Sequence, residues 1–373
     1  MLWGERYRFV IKREETMKHD KPIRTLAVAA ALSTVLTATS ALIAPSAAQA
    51  AEVDGPKVKW LVSLWGARRG FTEGVEGLKA ELAAKTDGNF ELDLQYGGVL
   101  SDPKENIDGL QLGAFEAAAV CPFYHPDKTP ASMGLSQAFL PLPTFEVQYK
   151  VYGEYLKHPA LVAEWDKWNA TPIMSTLMPN YEIMGKGDAP ASLADWDGVR
   201  VNASGGHAAL MDAIGAVPST MPAPDLYNSL ERGVVDGIVY PYTYAFVAYR
   251  FHELSNWVTD AWNLGTIQCS LAANKDAYDA LPDQYKQLLA DSVIPAYAHQ
   301  IAAYAEIDAA NEKEFEARGL TRIPLTDDVK AALEAAVQPS WQKWIDDTTA
   351  KGLPGQELFD MILSEAEKAR ADQ

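Results

Sequence analysis

The side chains able to do chemistry gather in two stretches of this 373-residue chain. In the longer one, Leu193 to Pro241, Arg200 and Asn202 fall at the end of a strand-like Val199–Val201, and Gly205-Gly206-His207 opens a helix. A guanidinium in that position would take a carboxylate bidentately, whereas an amide offers only neutral hydrogen bonds. A helix N-terminus behind two glycines can also hold an anion; the plainer reading of His207 is a partly exposed histidine on an edge turn. Past the Gly233–Gly237 turn, which Asp236 anchors, Tyr240, Tyr242, Tyr244 and Phe246 recur with a period of two. That period places their rings on one side of an extended segment, as a pocket wall or as a lobe interface. The second stretch is the aromatic loop Pro122-Phe123-Tyr124-His125, directly after the apolar run Ala117–Cys121.

Catalytic constellations are missing. The sequence has no GxSxG, HExxH or Walker pattern, and its six histidines are scattered without metal-ligand spacing. No cofactor, metal or catalytic residue is expected, and an exported hydrolase is the alternative class. Cys121 and Cys269 each sit in an apolar strand-like run and read as two buried thiols, with a bridge between them as the alternative.

These residues need elements to position them. Val58–Val62, Phe90–Gln95 and Ala117–Cys121 read as strands, separated by helices over Phe71–Lys85 and Asn106–Leu112. Thr144–Trp168 is largely helical, and Ile173–Met184 and Trp262–Ala273 are strand-like, the latter crossing back to the first lobe. A helix at Pro224–Arg232 precedes the strand after Gly237. Leu281–Gly319 holds a very long helix, with Pro295 as a kink or break. Asp327–Ala350 and Gln356–Arg370 are further helices. Alternating strands and helices imply mainly parallel sheets, whose ligands bind outside the carboxyl ends of the strands, here just past Val201 and Ile238.

Lys18, Lys21 and Arg24, the apolar run Thr25–Ile43 and the small-x-small Ala48-Gln49-Ala50 make a secretory signal with cleavage after Ala50, preceded by an upstream extension of residues 1–16. The remaining chain, roughly 320 residues, suits two lobes. It has no later run of about eighteen apolar residues, so a periplasmic protein without membrane insertion is expected. The net charge of −18 argues against nucleic acid and anionic membrane as partners.

Six segments resemble, in order, the solute-binding proteins of TRAP transporters, the C4-dicarboxylate-binding family. They are Gly97-Gly98-Val99-Leu100-Ser101, Leu110–Gly113, Asp195–Asn202, Gly215-Ala216-Val217-Pro218, Gly233–Gly237, and Asn274-Lys275 before Leu281-Pro282. The resemblance implies an α/β, two-lobed periplasmic-binding-protein-like fold, each lobe a mainly parallel sheet flanked by helices, with the cleft between lobes and a long helix spanning both. On that pattern lobe I takes residues 51–179 and 268–307, lobe II takes 180–267 and 308–340, and 341–373 pack outside. A non-enzymatic monomer would capture a small organic solute and pass it to membrane permease subunits, or serve a sensor. The arginine with which this family clamps a carboxylate is replaced by Asn202, and Arg200, two residues earlier, reads as surface or lobe packing, or alternatively as the clamp itself. The neighbouring strand carries Tyr181 and Glu182, a carboxylate where a cation is usual. Matched by position, Trp65, Tyr124 and Tyr242 would face the cleft, with Tyr240 beside them and Glu146 as a further contact. Together these imply an amine or zwitterion, such as an amino alcohol or quaternary ammonium compound, held by Glu182 and aromatic faces.

Overall fold

The computed structural model describes residues 51–373; the upstream extension and signal segment expected over 1–50, with cleavage after Ala50, lie outside the described residues. Eleven strands follow in order: β1 Val58–Ser63, β2 Phe90–Gln95, β3 Ala117–Val120, β4 Ala170–Thr176, β5 Tyr181–Gly185, β6 Arg200–Asn202, β7 Val217–Ser219, β8 Gly237–Pro241, β9 Trp257–Asp260, β10 Cys269–Asn274 and β11 Thr321–Pro324. They form two sheets, β2-β1-β3-β10-β4 and β11-β9-β5-β8-β6-β7.

Each sheet is parallel but for one strand. β10 runs antiparallel to both β3 and β4, and β5 runs antiparallel to both β8 and β9. Both reversed strands are entered directly after the chain crosses from the other sheet, whereas β11, reached through the long helix, runs parallel to β9. The segment read as one strand over Ile173–Met184 is therefore two, β4 and β5, divided by Leu177–Asn180. Only the end of the expected long strand Trp262–Ala273 is a strand. Its earlier part passes between the sheets, tied instead by the exchange Tyr181 N to Gly265 O and Leu264 N to Tyr181 O, and by Thr266 Oγ1 donating to Met178 O.

The long helix Asp283–Arg318 continues through Pro295 without a break. Proline forfeits one backbone hydrogen bond, but tertiary contact overrides that loss here. Tyr285, Leu288, Ala296 and Tyr297 are buried on its early half and Tyr304 and Phe315 on its later half. Beside Pro295 the helix presses so closely on the Glu73–Lys85 helix that a Cβ at Gly77 would lie 3.1 Å from the Ala296 Cα. The C-terminal helix Gly355–Ala371 buries Leu358, Phe359 and Ile362 against Val147, Val151 and Tyr155 of the Phe145–Tyr155 helix, which Thr144 caps by accepting from Val147 N.

The two cysteines are bridged, against the expectation of two thiols. β3 and β10 pair antiparallel with Val120 opposite Ser270, so Cys121 and Cys269 face each other one step beyond the ladder, their Cα atoms 4.2 Å apart. Among the described residues no helix is long and apolar enough to cross a membrane.

Candidate functional site

The carboxyl end of β1 leads into Leu64-Trp65-Gly66 and then Arg69-Gly70-Phe71, and the end of β3 leads into Cys121 to Tyr124. Opposite them, the second sheet brings up the start of β5, which is reversed, and the end of β8. Between these edges lies a cavity of about 20 Å³, room for about one water molecule. Trp65, Phe71, Phe123 and Tyr124 wall it from the first sheet, and Met178, Tyr181, Tyr240, Tyr244 and Tyr249 from the crossing segments and the second. Ala223 and the Cys121–Cys269 bridge complete the lining, together with one charged residue, Arg69. A six-membered ring cannot enter this space unless side chains move or the sheets part, so the cleft is closed.

Arg69 is 8% exposed. Its Nη1 donates to the carbonyls of Trp65 and Ala67, at 2.8 and 2.9 Å. Its guanidinium lies 4.8 Å from the Phe71 ring centroid and 5.1 Å from that of Tyr249. Among the described residues the buried Nε has no partner and no carboxylate pairs with this arginine. A buried cation without a counter-ion is costly, and two aromatic faces recover only part of that cost. Sequence reading missed Arg69. Its only signal is the Arg68-Arg69 pair directly after β1, and the pair does not reveal which arginine turns inward. Arg68 donates through Nε and Nη2 to Glu73 and stays outside.

The tyrosines are hydrogen-bonded in pairs. Tyr124 and Tyr240 hydroxyls lie 3.3 Å apart, as do those of Tyr181 and Tyr244. Tyr124 also accepts from Ala223 N, and Tyr244 donates to the Met178 sulfur at 3.1 Å. Burial pushes the phenols of Tyr181, Tyr240 and Tyr244 above their ordinary range, and that of Tyr124 to about 12, so all keep their protons.

Of the residues singled out from sequence, Trp65, Tyr124, Tyr181 and Tyr240 line the cavity and four others do not. Glu182 is turned sideways to the end of β9, where it accepts from Thr259 Oγ1 at 2.5 Å and from the backbone of Trp262 and Asn263. Burial raises its carboxyl to about 7, against those hydrogen bonds. Arg200 lies on the surface, donating through Nε and Nη2 to Asp236. Asp236 therefore anchors its turn as expected. Asn202 is fully buried and holds the segment leading to Ala223, accepting from Met221 N at 2.8 Å, while its Nδ2 has no partner among the described residues. Tyr242 leaves the cleft for Glu312 and Arg322. The period of two fails because the chain coils after Pro241, with Ala245 N bonded to Pro241 O and Tyr249 N to Ala245 O. A four-residue step thus joins Tyr240 to Tyr244 in the wall.

Two further expectations change. His207 is fully buried, with Nε2 3.0 Å from Leu264 O and its ring stacked on Tyr181 at 4.6 Å. The helix it opens cannot receive an anion from the cleft, because Ser136 to Ala138 cover that end. A Cβ on Gly206 would lie 2.4 Å from Ala138 N. Glu146 is on the surface, paired with Lys150 at 3.0 Å.

Residues 62–347 match the model of the bacterial extracellular solute-binding proteins, family 7. The chain belongs to this family. Its members are extracytoplasmic receptors for small organic solutes in TRAP transport, working with membrane permease subunits. Among its relatives is the monocarboxylate 2-oxoacid-binding periplasmic protein of Nostoc sp., 21% identical over 340 residues, which cover 85% of this chain and 86% of that one. The ectoine-binding periplasmic protein TeaA of Halomonas elongata is 24% identical over 201 residues, 52% of this chain and 58% of TeaA. A marine metagenome TRAP solute-binding protein specific for aromatic acid ligands, solved with 3-hydroxybenzoate, superposes with a TM-score of 0.75 at 18% identity, covering 84% of this chain and 99% of that one. The two-lobed fold of this solute receptor is thus shared with the TRAP solute-binding proteins.

Proposed function

We propose that this receptor captures a small organic anion, a carboxylate on a flat and largely apolar body such as an aromatic acid, with Arg69 as its charge partner. The observation that carries this reading is the buried Arg69, whose Nε has no partner among the described residues and which faces a cavity that none of their acidic side chains lines. A carboxylate would supply the missing counter-ion and could take the free Nε edge bidentately. Trp65, Phe71, Phe123 and the tyrosines offer ring faces and edges to an apolar body. The amine suggested by Glu182 loses its anchor, because that carboxylate is engaged with Thr259, Trp262 and Asn263, and Arg69 would repel a cation. The aromatic-acid ligands of the metagenome protein and the 2-oxoacids of the Nostoc relative agree in kind with an anion site.

The protein then acts as a monomeric, non-enzymatic receptor, exported to the periplasm with its signal removed after Ala50. Residues 51–179 with 268–307 move as one lobe and 180–267 with 308–340 as the other, closing over the solute before the permease receives it. Residues 341–373 pack on the outside.

Calorimetry with benzoate, 3-hydroxybenzoate and pyruvate, beside ethanolamine, choline and ectoine, tests this reading. At least one carboxylate should bind, and Arg69→Gln should weaken it by about 100-fold, the scale of a charge-assisted pair lost from a buried site. Tight binding of choline or ethanolamine, unchanged in Arg69→Gln, would overturn the anion reading and restore the amine.

A further inference from the structure

We propose that the Tyr249 hydroxyl is the second donor of the anion site, forming with the Arg69 guanidinium a clamp that selects a carboxylate over its neutral amide. This rests on the anion reading above and extends it to a residue outside the strand ends.

The tyrosine hydroxyls around the cavity differ in one respect. Those of Tyr124, Tyr240, Tyr181 and Tyr244 find one another, whereas the buried Tyr249 hydroxyl has no partner among the described residues. A buried hydroxyl left unpaired is destabilising unless a ligand satisfies it. Its position beside Arg69 is fixed by three contacts. The Tyr249 ring stacks on Phe251 with centroids 5.6 Å apart and planes at 13°, and its other contact is the guanidinium 5.1 Å from its centroid. Gly66, with a φ of +66°, provides the third. A Cβ there would stand 2.7 Å from the Tyr249 hydroxyl and 2.9 Å from Arg69 Nη1, so both groups rest against one backbone turn that only glycine leaves open. Nη1 is spent on the carbonyls of Trp65 and Ala67, which leaves the Nε edge of the guanidinium and the Tyr249 hydroxyl as donors on one cavity, each without a partner among the described residues.

Burial raises the Tyr249 phenol, so it keeps its proton and donates toward an anion. Two such donors on one cavity suit the two oxygens of a carboxylate. The phenol oxygen can also accept from the NH₂ of an amide, but a hydrogen bond donated to an ionised carboxylate is roughly twice as strong as one to a neutral group, so the pair favours the acid.

Calorimetry of benzoate and benzamide on the wild type, Tyr249→Phe and Arg69→Gln tests the clamp, with the Tm of each ligand-free protein as a check on folding. Tyr249→Phe should weaken benzoate about tenfold and benzamide less, so that the benzoate-to-benzamide ratio falls, and leave the ligand-free Tm unchanged or higher. Benzoate affinity within about twofold of wild type in Tyr249→Phe, with strong loss in Arg69→Gln, would overturn the role of Tyr249 and leave the anion site standing. Absence of binding by benzoate, 3-hydroxybenzoate and pyruvate alike, or indifference of the bound acid to both substitutions, would overturn both.

Discussion

The two sheets present different edges to the cleft. The first sends in a cation, Arg69, a disulfide and the rings of Trp65 and Tyr124; the second sends in Tyr181, Tyr240 and Tyr244, whose hydroxyls are already bonded, and Tyr249, whose hydroxyl is not. Yet the second sheet holds the polar residues that sequence reasoning favoured. Glu182 braces the end of β9, Arg200 pins Asp236, and Asn202 holds the turn before Ala223. Glu182 and Arg200 spend their charges on their own framework and Asn202 its carbonyl, away from the cavity, while Arg69 lines the cavity with a donor unpaired among the described residues. Ligand recognition is therefore better judged by which buried polar groups remain unpaired than by which polar residues stand near a strand end.

This contrast can be broken at several points. The largest expected effect is on the first edge, where the Cys121–Cys269 bridge closes a loop with a sequence separation of 148. Replacing both cysteines by serine should cost roughly 2–5 kcal/mol in urea unfolding, mainly by releasing the unfolded chain. A smaller loss would mean that sheet packing alone holds β3 to β10.

On the second edge, Glu182 should behave as a buried structural acid. The unfolded chain releases its proton near 4.5 and the folded chain near about 7, so the stability it provides is full below pH 4.5 and declines as pH climbs to 7. At about 1.4 kcal/mol per unit the decline is roughly 3 kcal/mol. Glu182→Gln should lack it, so the stability difference between variant and wild type, measured from about pH 4.5 to 7.5, should move toward the variant. A difference independent of pH would show Glu182 ionised where it stands.

Asn202→Ala should cost about 1–3 kcal/mol by leaving the Met221 N–H without its acceptor. Substituting Arg200 by Gln should do least, keeping carboxylate affinity within about twofold, because that side chain is half exposed and paired with Asp236. Loss of binding in Arg200→Gln, with Arg69→Gln silent, would reverse the comparison between the two edges.

Much of the framework was legible. β2 and the Asp327–Ala350 helix fall on the expected residues, and β1, β3, β6 and the Gly355–Ala371 helix lie within one residue at each end. β7, β9 and β11 were not anticipated; they are as short as β3 and β6 but of mixed composition, with an exposed residue at one end or both, and lack the buried apolar run of β3 or the double-glycine turn that follows β6. The aromatic wall was half legible: Trp65, Tyr124, Tyr181 and Tyr240 were identified, but Tyr242, matched to the cleft by its position in the family pattern, turns away because the backbone coils after Pro241.

The sequence by itself determined most of the order of elements and the family, because periodicity, glycine turns and chain order are local properties. Only the tertiary structure decided which charge faces the cavity. Arg68 and Arg69 are neighbours with the same chemistry, yet Glu73 draws one outward while the rings of Phe71 and Tyr249 hold the other within the cleft. Glu182 is withdrawn by Thr259, Trp262 and Asn263, roughly eighty residues further along the chain. Side-chain direction at such sites is set by surfaces that meet only on folding, so no local pattern encodes it.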